Sequence, residues 1–373
     1  MKRTVAGGVI ALLSLVAALA SGSGCTDVAD ARARRDALIG QASSSGMSLR
    51  VHGGLALAEG LDPPGFYLWM QAPDVSLDID VPAGVAQFEL MADNILDDAA
   101  LTATLPATGV GIEPIDGILG HRKRWLVTAP TGVGTLTLRI APADADTAGP
   151  WRFAVFGDVQ EAIDRVQDIY RRMAQDPGLR FAIITGDLTE RGSEAELRRF
   201  KDSMAGAPFP IYATLGNHEL GTRDDLFHAS FGRGTFSFVF RDVRLTLLDT
   251  ASATVAPLAY EWLADWLVAG IDRVHFTFGH IPPLDPSGTR NGAFASRLEA
   301  NKLLSLFASG NIDVTFYGHV HSFYAFTNAG IPAYISGGGG SIPQRLDGIG
   351  RHYLTVDVDS TRQTSEVSVV RVD

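Results

Sequence analysis

The sequence predicts a two-part chain, a small β-sandwich followed by a larger α/β domain. Three observations predict it. From about Leu49 to Pro142, short alternating apolar runs are broken by Gly and Pro turns, with no long helical period. After Trp151, apolar strands alternate with amphipathic helices, the pattern of βαβ units. The 373 residues exceed one small module, and 46% hydrophobic with 20% charged residues is enough apolar material for full cores.

The chain opens with Lys2 and Arg3, an apolar run from Val9 to Ala20, and small residues up to Cys25. A basic start, a short apolar middle and a small-residue end are the plan of an export signal, here residues 1–24. The apolar run is too short for a membrane span, which needs about 20 residues. Cys25 is the only cysteine, so no intramolecular disulfide and no cysteine-rich zinc site can form. Its place after Gly22-Ser23-Gly24 resembles the lipobox of bacterial lipoproteins, with Gly22 where that group usually has Leu. The resemblance implies a lipid on Cys25 and a cell-envelope location; the competing reading is ordinary cleavage after Ala18-Leu19-Ala20.

Residues 25–48 are polar and rich in Ala and Ser and are expected to be a tether, with a short helix near Ala31 to Ile39. Residues 49–142 are the expected sandwich, with strands such as Phe66 to Met70, Val75 to Ile79 and Thr135 to Ile140. Residues 143–150 are the expected linker. In the second domain, 151–373, strands are expected at Arg152 to Phe156, Phe181 to Thr185, Ile211 to Leu215, Val274 to Phe278 and Val314 to Tyr317, with a hairpin over Thr235 to Asp249. Helices are expected over Glu161 to Ala174, Ser193 to Met204, Leu258 to Ala269 and Ala295 to Ala308, and the tail from Tyr353 to Val372 is β-rich.

The chemistry sits just after these strands. The first runs into Gly157-Asp158-Val159-Gln160, the second into Gly186-Asp187, and the third into Gly216-Asn217-His218-Glu219. Two later ones end in Gly279-His280 and Gly318-His319-Val320-His321. Ligands gather at the carboxyl ends of strands in open α/β sheets, so the five loops are expected to converge. Glycine before each ligand permits a tight turn. Mixed carboxylate, amide and imidazole donors suit Mn, Fe, Zn or similar ions.

In order and spacing these loops resemble the five motifs of the calcineurin-like metallophosphoesterase superfamily. Four of the nine histidines fall in motif positions. The resemblance implies a two-layer β-sheet core flanked by helices and a dinuclear site for two divalent metal ions. It implies Asp158 and His321 on the first metal, Asp187 bridging both, and Asn217, His280 and His319 on the second. It implies hydrolysis of a phosphate ester, monoester or diester, by a metal-bridged hydroxide, with His218 acting on the transition state or leaving group. Gln160 stands where most of the superfamily has His. As a neutral oxygen donor it would favour Mn or Mg-like ions, and some active branches that hydrolyse nucleotide diphosphates carry Gln there; otherwise it points away and water takes its place. Purple acid phosphatases also pair a sandwich with this domain but carry a Tyr ligand after the second Asp, where this chain has Leu188-Thr189-Glu190-Arg191.

The net charge of -11 disfavours nucleic acid as a partner and leaves the metals as the local positive charge for phosphate. The expected partner is a small phosphate ester. The rival reading is a noncatalytic surface scaffold with a metal site weakened by Gln160. Glu219 is expected to orient the Asn217-His218 loop, Asp249-Thr250 to be a structural turn, and Gly337 to Gly340, lacking P-loop Lys and Ser/Thr, to be a close backbone turn. His275 is read as a sheet residue and Arg290 as an exposed one, while His52, His121, His228 and His352 show no partner pattern.

Overall fold

The computed structural model describes residues 23–115, 121–132, 134–221, 223–288, 292–344 and 348–372. The expected export signal lies outside these residues except for its last two, and Arg290 lies outside them too. No helix among the described residues is long and apolar enough to cross a membrane.

Two five-stranded sheets form the amino-terminal part. One runs Gln41–Ser44, Met47–Val51, Val75–Val81, Gly134–Pro142, Ala99–Leu105 from edge to edge; the other runs Ala56–Leu61, Gly65–Met70, Gln87–Asp93, Arg122–Thr128, Gly111–Pro114. Val75, Leu77 and Ile79 are buried while Ser76 and Asp78 turn outward, the alternation of a sheet with one core face. In place of the tether expected over residues 25–48, Ser23–Asp36 is a helix, and Gln41–Ser44 and Met47–Val51 are sandwich strands. Ala29, Arg32, Ala33 and Asp36 form the buried helical stripe. Half of that stripe is charged, so hydrophobic periodicity does not reveal it.

The second part stacks two sheets. The first is ordered Ile211–Ala213, Leu179–Ile184, Pro150–Phe156, His352–Asp359, Thr364–Arg371; its first three strands are parallel. The second is ordered Phe236–Phe240, Val243–Leu247, Val274–Phe278, Val314–Tyr317, Ile331–Ser336, Phe323–Asn328, parallel through its middle. Between them lies an aromatic layer, with Phe153 against Phe181, Phe276 and Phe278, and Phe181 against Tyr212 and Phe238. The outer residues Ala154, Phe156, Ala182 and Ile184 face a separate helical layer.

The helices begin where the chain offers caps. Ser193 and Glu196 close a reciprocal capping box on Glu194–Ser203, Pro257 opens Pro257–Gly270, and the Ser296 hydroxyl accepts the Glu299 N–H at the start of Arg297–Ser309. The helix expected over Glu161 to Ala174 divides into a 3-10 turn, Gln160–Arg165, and the shorter helix Gln167–Met173. The linker expected over 143–150 is a turn tied down by the Arg241 N–H on the Ala145 carbonyl.

The two parts share one buried apolar cluster, and side-chain amides stitch them together. Ile211–Ala213 is the edge strand of its sheet. Asn94 of the sandwich donates to the Ile211 carbonyl at 2.8 Å and accepts its N–H at 2.9 Å. Gln71 accepts the Ala213 N–H at 3.2 Å and donates to the Phe231 carbonyl at 2.8 Å. Two amides thus complete an edge that would otherwise leave buried backbone groups unpaired.

Candidate metal centre

All five motif loops leave the carboxyl ends of strands in the stacked sheets and meet at one edge of the stack. Asp158 and Gln160 follow Pro150–Phe156, Asp187 follows Leu179–Ile184, and Asn217 and His218 follow Ile211–Ala213. His280 follows Val274–Phe278, and His319 and His321 follow Val314–Tyr317. Their ligand atoms form two triads, Asp158 with Asp187 and His321, and Asp187 with His280 and His319, each within 4.8 Å. Asp187 belongs to both.

The backbone is bent to achieve this. Asp158, Gln160, Asp187 and His319 all have positive φ, at 63°, 48°, 53° and 69°. Non-glycine residues rarely enter that region, at a cost on the order of 1 kcal/mol or more each, and such strain gathers at functional sites. Close approach explains the preceding glycines. A Cβ on Gly216 would stand 2.1 Å from Asp187 Oδ1, and one on Gly318 would stand 2.6 Å from Asp158 Oδ2. Gly337 to Gly340 play a similar part: a Cβ on Gly339 would lie 2.3 Å from the Gly157 carbonyl, and Ser341, which follows the glycine run, donates its N–H to the Asp158 carbonyl.

Hydrogen bonds aim the imidazoles. His280 donates Nδ1–H to the Thr185 carbonyl at 2.8 Å, and His321 donates Nδ1–H to the Ile342 carbonyl at 2.9 Å. Each Nε2 is thereby turned inward, His280 to 3.2 Å from Asp187 Oδ2 and 3.0 Å from Asn217 Oδ1, and His321 to 3.6 Å from Asp158 Oδ1. Anchoring the far nitrogen on a carbonyl is the usual orientation of a metal-binding His. The His319 N–H donates to the Asp158 carboxylate, and its ring meets the His280 ring edge to face, 5.2 Å between centroids.

Gln160 reaches into the first triad. Its Nε2 lies 2.9 Å from Asp187 Oδ2 and 3.2 Å from His321 Nε2. A half-turn of the amide presents Oε1, the atom a cation would take, to the same place. His218 donates Nδ1–H to the Glu190 carbonyl at 2.5 Å, leaving Nε2 3.8 Å from Asp187 Oδ2. Of the motif side chains, His218 is among the more open, with a quarter of its side chain exposed.

The field at the centre is negative. Asp158 and Asp187 are buried, and burial alone would lower the basicity of His280, yet Asp187 first and Asp158 with it raise His280 to about 9. Burial opposes ionisation of Asp187, but His280 and His218 hold its carboxyl far below the usual carboxylate range. Buried carboxylates ringed by inward-facing imidazole nitrogens and amides are a donor set for divalent cations, so the residues present fit a metal pair.

Glu219 is fully buried, and burial with the Asp187 charge pushes it up to about 7. It accepts the Thr189 N–H and hydroxyl through Oε1 and the Gly216 N–H through Oε2, which locks the Asp187 and Asn217 loops together. Other histidines stand apart. His275 is buried in its strand against Thr246, and burial lowers it to about 3. His52 meets Asp78, His121 lies between Asp97 and the Ala207 carbonyl, and His352 bonds to the Gly350 carbonyl. His228 meets Asp36, a pair that sequence spacing could not bring together.

Residues 152–323 match the family model described as calcineurin-like phosphoesterase. Comparison with curated protein sequences gives no match. Among solved structures, a purple acid phosphatase from yellow lupin (Lupinus luteus) seeds is 12% identical, with 80% of this chain and 70% of that one covered at a TM-score of 0.53. A dimetal phosphatase from Danio rerio is also 12% identical, with 60% of this chain and 99% of that one covered at a TM-score of 0.46. The lupin likeness is one of fold.

Proposed function

We propose that the chain is a metal-dependent phosphoric ester hydrolase working through a dinuclear centre held by seven side chains, a reading supported by the match of residues 152–323 to the calcineurin-like phosphoesterase family model. The observation that carries this is the pair of ligand triads sharing Asp187, with His218 Nε2 directed at the same carboxylate.

In this reading Asp158, Gln160, Asp187 and His321 hold one divalent ion, and Asp187, Asn217, His280 and His319 hold the other. When bound, the ions supply Lewis acidity toward the phosphoryl oxygens and lower the pKa of an attacking water. The chain does the rest. The Thr185 and Ile342 carbonyls hold His280 and His321 in one tautomer. Glu219 keeps two ligand loops in register. His218, anchored at Nδ1, presents Nε2 to the phosphoryl group; as the doubly protonated imidazolium it neutralises developing charge or passes its Nε2 proton to the leaving oxygen, which returns the ring to the neutral Nδ1–H form. A protein of net charge -11 thus meets an anionic substrate through cations concentrated at one point.

The test is nitrophenol release from mono- and bis-nitrophenyl phosphate with added Mn, comparing wild type with His218→Ala and Asp187→Ala. His218→Ala is expected to keep its metal and lose about 10²- to 10⁴-fold in kcat, the range for a general acid or a charge-stabilising donor. Asp187→Ala is expected to lose both metal and activity. A wild type without bound metal by elemental analysis and inactive on both esters returns the noncatalytic scaffold reading.

A further inference from the structure

The helix Ser23–Asp36 precedes the first motif by more than a hundred residues, yet its buried face ends in two charged groups that reach the loops beneath the site. Arg32 is wholly buried. It donates Nε to Asp249 Oδ2 at 2.6 Å, and Nη2 to Asp249 Oδ1 at 3.2 Å and to Ser252 Oγ at 2.9 Å. One turn later, the Asp36 carboxylate accepts the backbone N–H groups of Gly234 and Thr235, each at 2.9 Å.

Both contacts lead toward the same half of the centre. Asp249 Oδ1 accepts the Ala251 N–H at 3.0 Å, which fixes the turn containing Thr250. Thr250 Oγ1 in turn accepts the backbone N–H of His280 at 2.8 Å. On the other arm, Thr214 donates its hydroxyl to the Gly234 carbonyl at 2.8 Å, two residues before Gly216 and three before Asn217. The first triad has its own supports, Ser341 on the Asp158 backbone and Ile342 on the His321 ring.

We infer that the amino-terminal helix is a clamp for the second metal half-site, with Arg32 a positioning residue that acts through Asp249 and Thr250 on His280. This rests on the dinuclear reading above. A buried ion pair contributes little net stability compared with well-packed apolar residues, so a geometric role accounts better for Arg32 in this place. The turn beginning at Asp249 is then part of the catalytic architecture and not a bare connection.

The experiment is calorimetric titration of the full chain with Mn alone. Wild type is expected to bind two ions. Each half-site is then isolated, the second in a His321→Ala background and the first in a His319→Ala background, with and without Arg32→Met. Loss of an outer partner commonly costs 10- to 100-fold in metal affinity, so Arg32→Met is expected to weaken Mn binding at least about tenfold in the second-site background and under about twofold in the first. Arg32→Lys should recover part of the loss. Thr250→Val, which removes only the acceptor for His280, should reproduce the same asymmetry and serves if Arg32→Met does not fold. Equal weakening of both half-sites, or no weakening, overturns the clamp while two ions in wild type leave the dinuclear reading intact. Fewer than two ions in wild type overturns both.

Discussion

Gln160 occupies a position where chemistry and packing pull in different directions. Its backbone is held at φ 48° and its side chain is buried, so the residue is kept at the centre by the fold and not by solvent preference. An amide oxygen binds a cation more weakly than a neutral imidazole does for Zn or Fe, and suits harder ions relatively better. Gln160→His should therefore tighten binding at the first half-site and move preference from Mn toward Zn. Competitive titration with the two metals reads this directly. If neither affinity nor preference moves, Gln160 is not a ligand and its amide serves only to fix Asp187 and His321. The motif residues were legible in sequence because each lies within three residues of a glycine at the end of an apolar run. Arg32 and Asp36 were not, because a charged pair in an alanine-rich polar stretch has the composition of an exposed helix, and only the tertiary partners Asp249 and Gly234 make it an interior one.

At the scale of elements, the strand-to-loop junctions are where the chain is least tolerant. Gly216 illustrates why: an added Cβ would meet Asp187 Oδ1 at 2.1 Å and the Asp187 backbone N at 2.3 Å, and neither is a flexible chain end. Gly216→Ala is expected to displace the shared carboxylate, lowering bound metal per chain and the thermal midpoint together. Elemental analysis and a melting curve, with and without added Mn, measure both. A variant with full metal content and an unchanged midpoint would show that the two loops are free to separate. Helix positions were largely legible, since Ser193, Pro257 and Ser296 are local start signals with local causes. The hairpin of Phe323–Asn328 and Ile331–Ser336, closed by the two-residue turn Ala329-Gly330 with both residues at positive φ, is local, but its place in the sheet is not legible in the sequence. Its second strand takes a parallel partner, Val314–Tyr317, from across a separate loop, and such pairing leaves no short-range signature.

For the whole molecule, the question is whether the sandwich is an appendage or part of the enzyme. The sequence implies two domains joined by a linker, and nothing in its local pattern shows that Asn94 and Gln71 pair with the backbone of Ile211 and Ala213. That strand is only three residues long, lies at a sheet edge, and runs straight into Gly216, Asn217 and His218. Without the two amides its outer N–H and carbonyl groups would be buried and unpaired, at about 1 to 3 kcal/mol for each group. Stability of the Asn217-His218 loop is thus borrowed from the sandwich, and the continuous apolar cluster is expected to make the two parts a single cooperative unit. Urea unfolding followed by tryptophan fluorescence and by activity should then give one coincident transition. Asn94→Ala should lower stability by about 2 kcal/mol or more, since it leaves both the N–H and the carbonyl of Ile211 without their partner. It should also reduce kcat through the displaced His218 loop, although residue 94 touches none of the ligands. Two separated transitions, or an Asn94→Ala variant with lowered stability but unaltered kcat, would make the sandwich a passenger whose contacts stop at the interface.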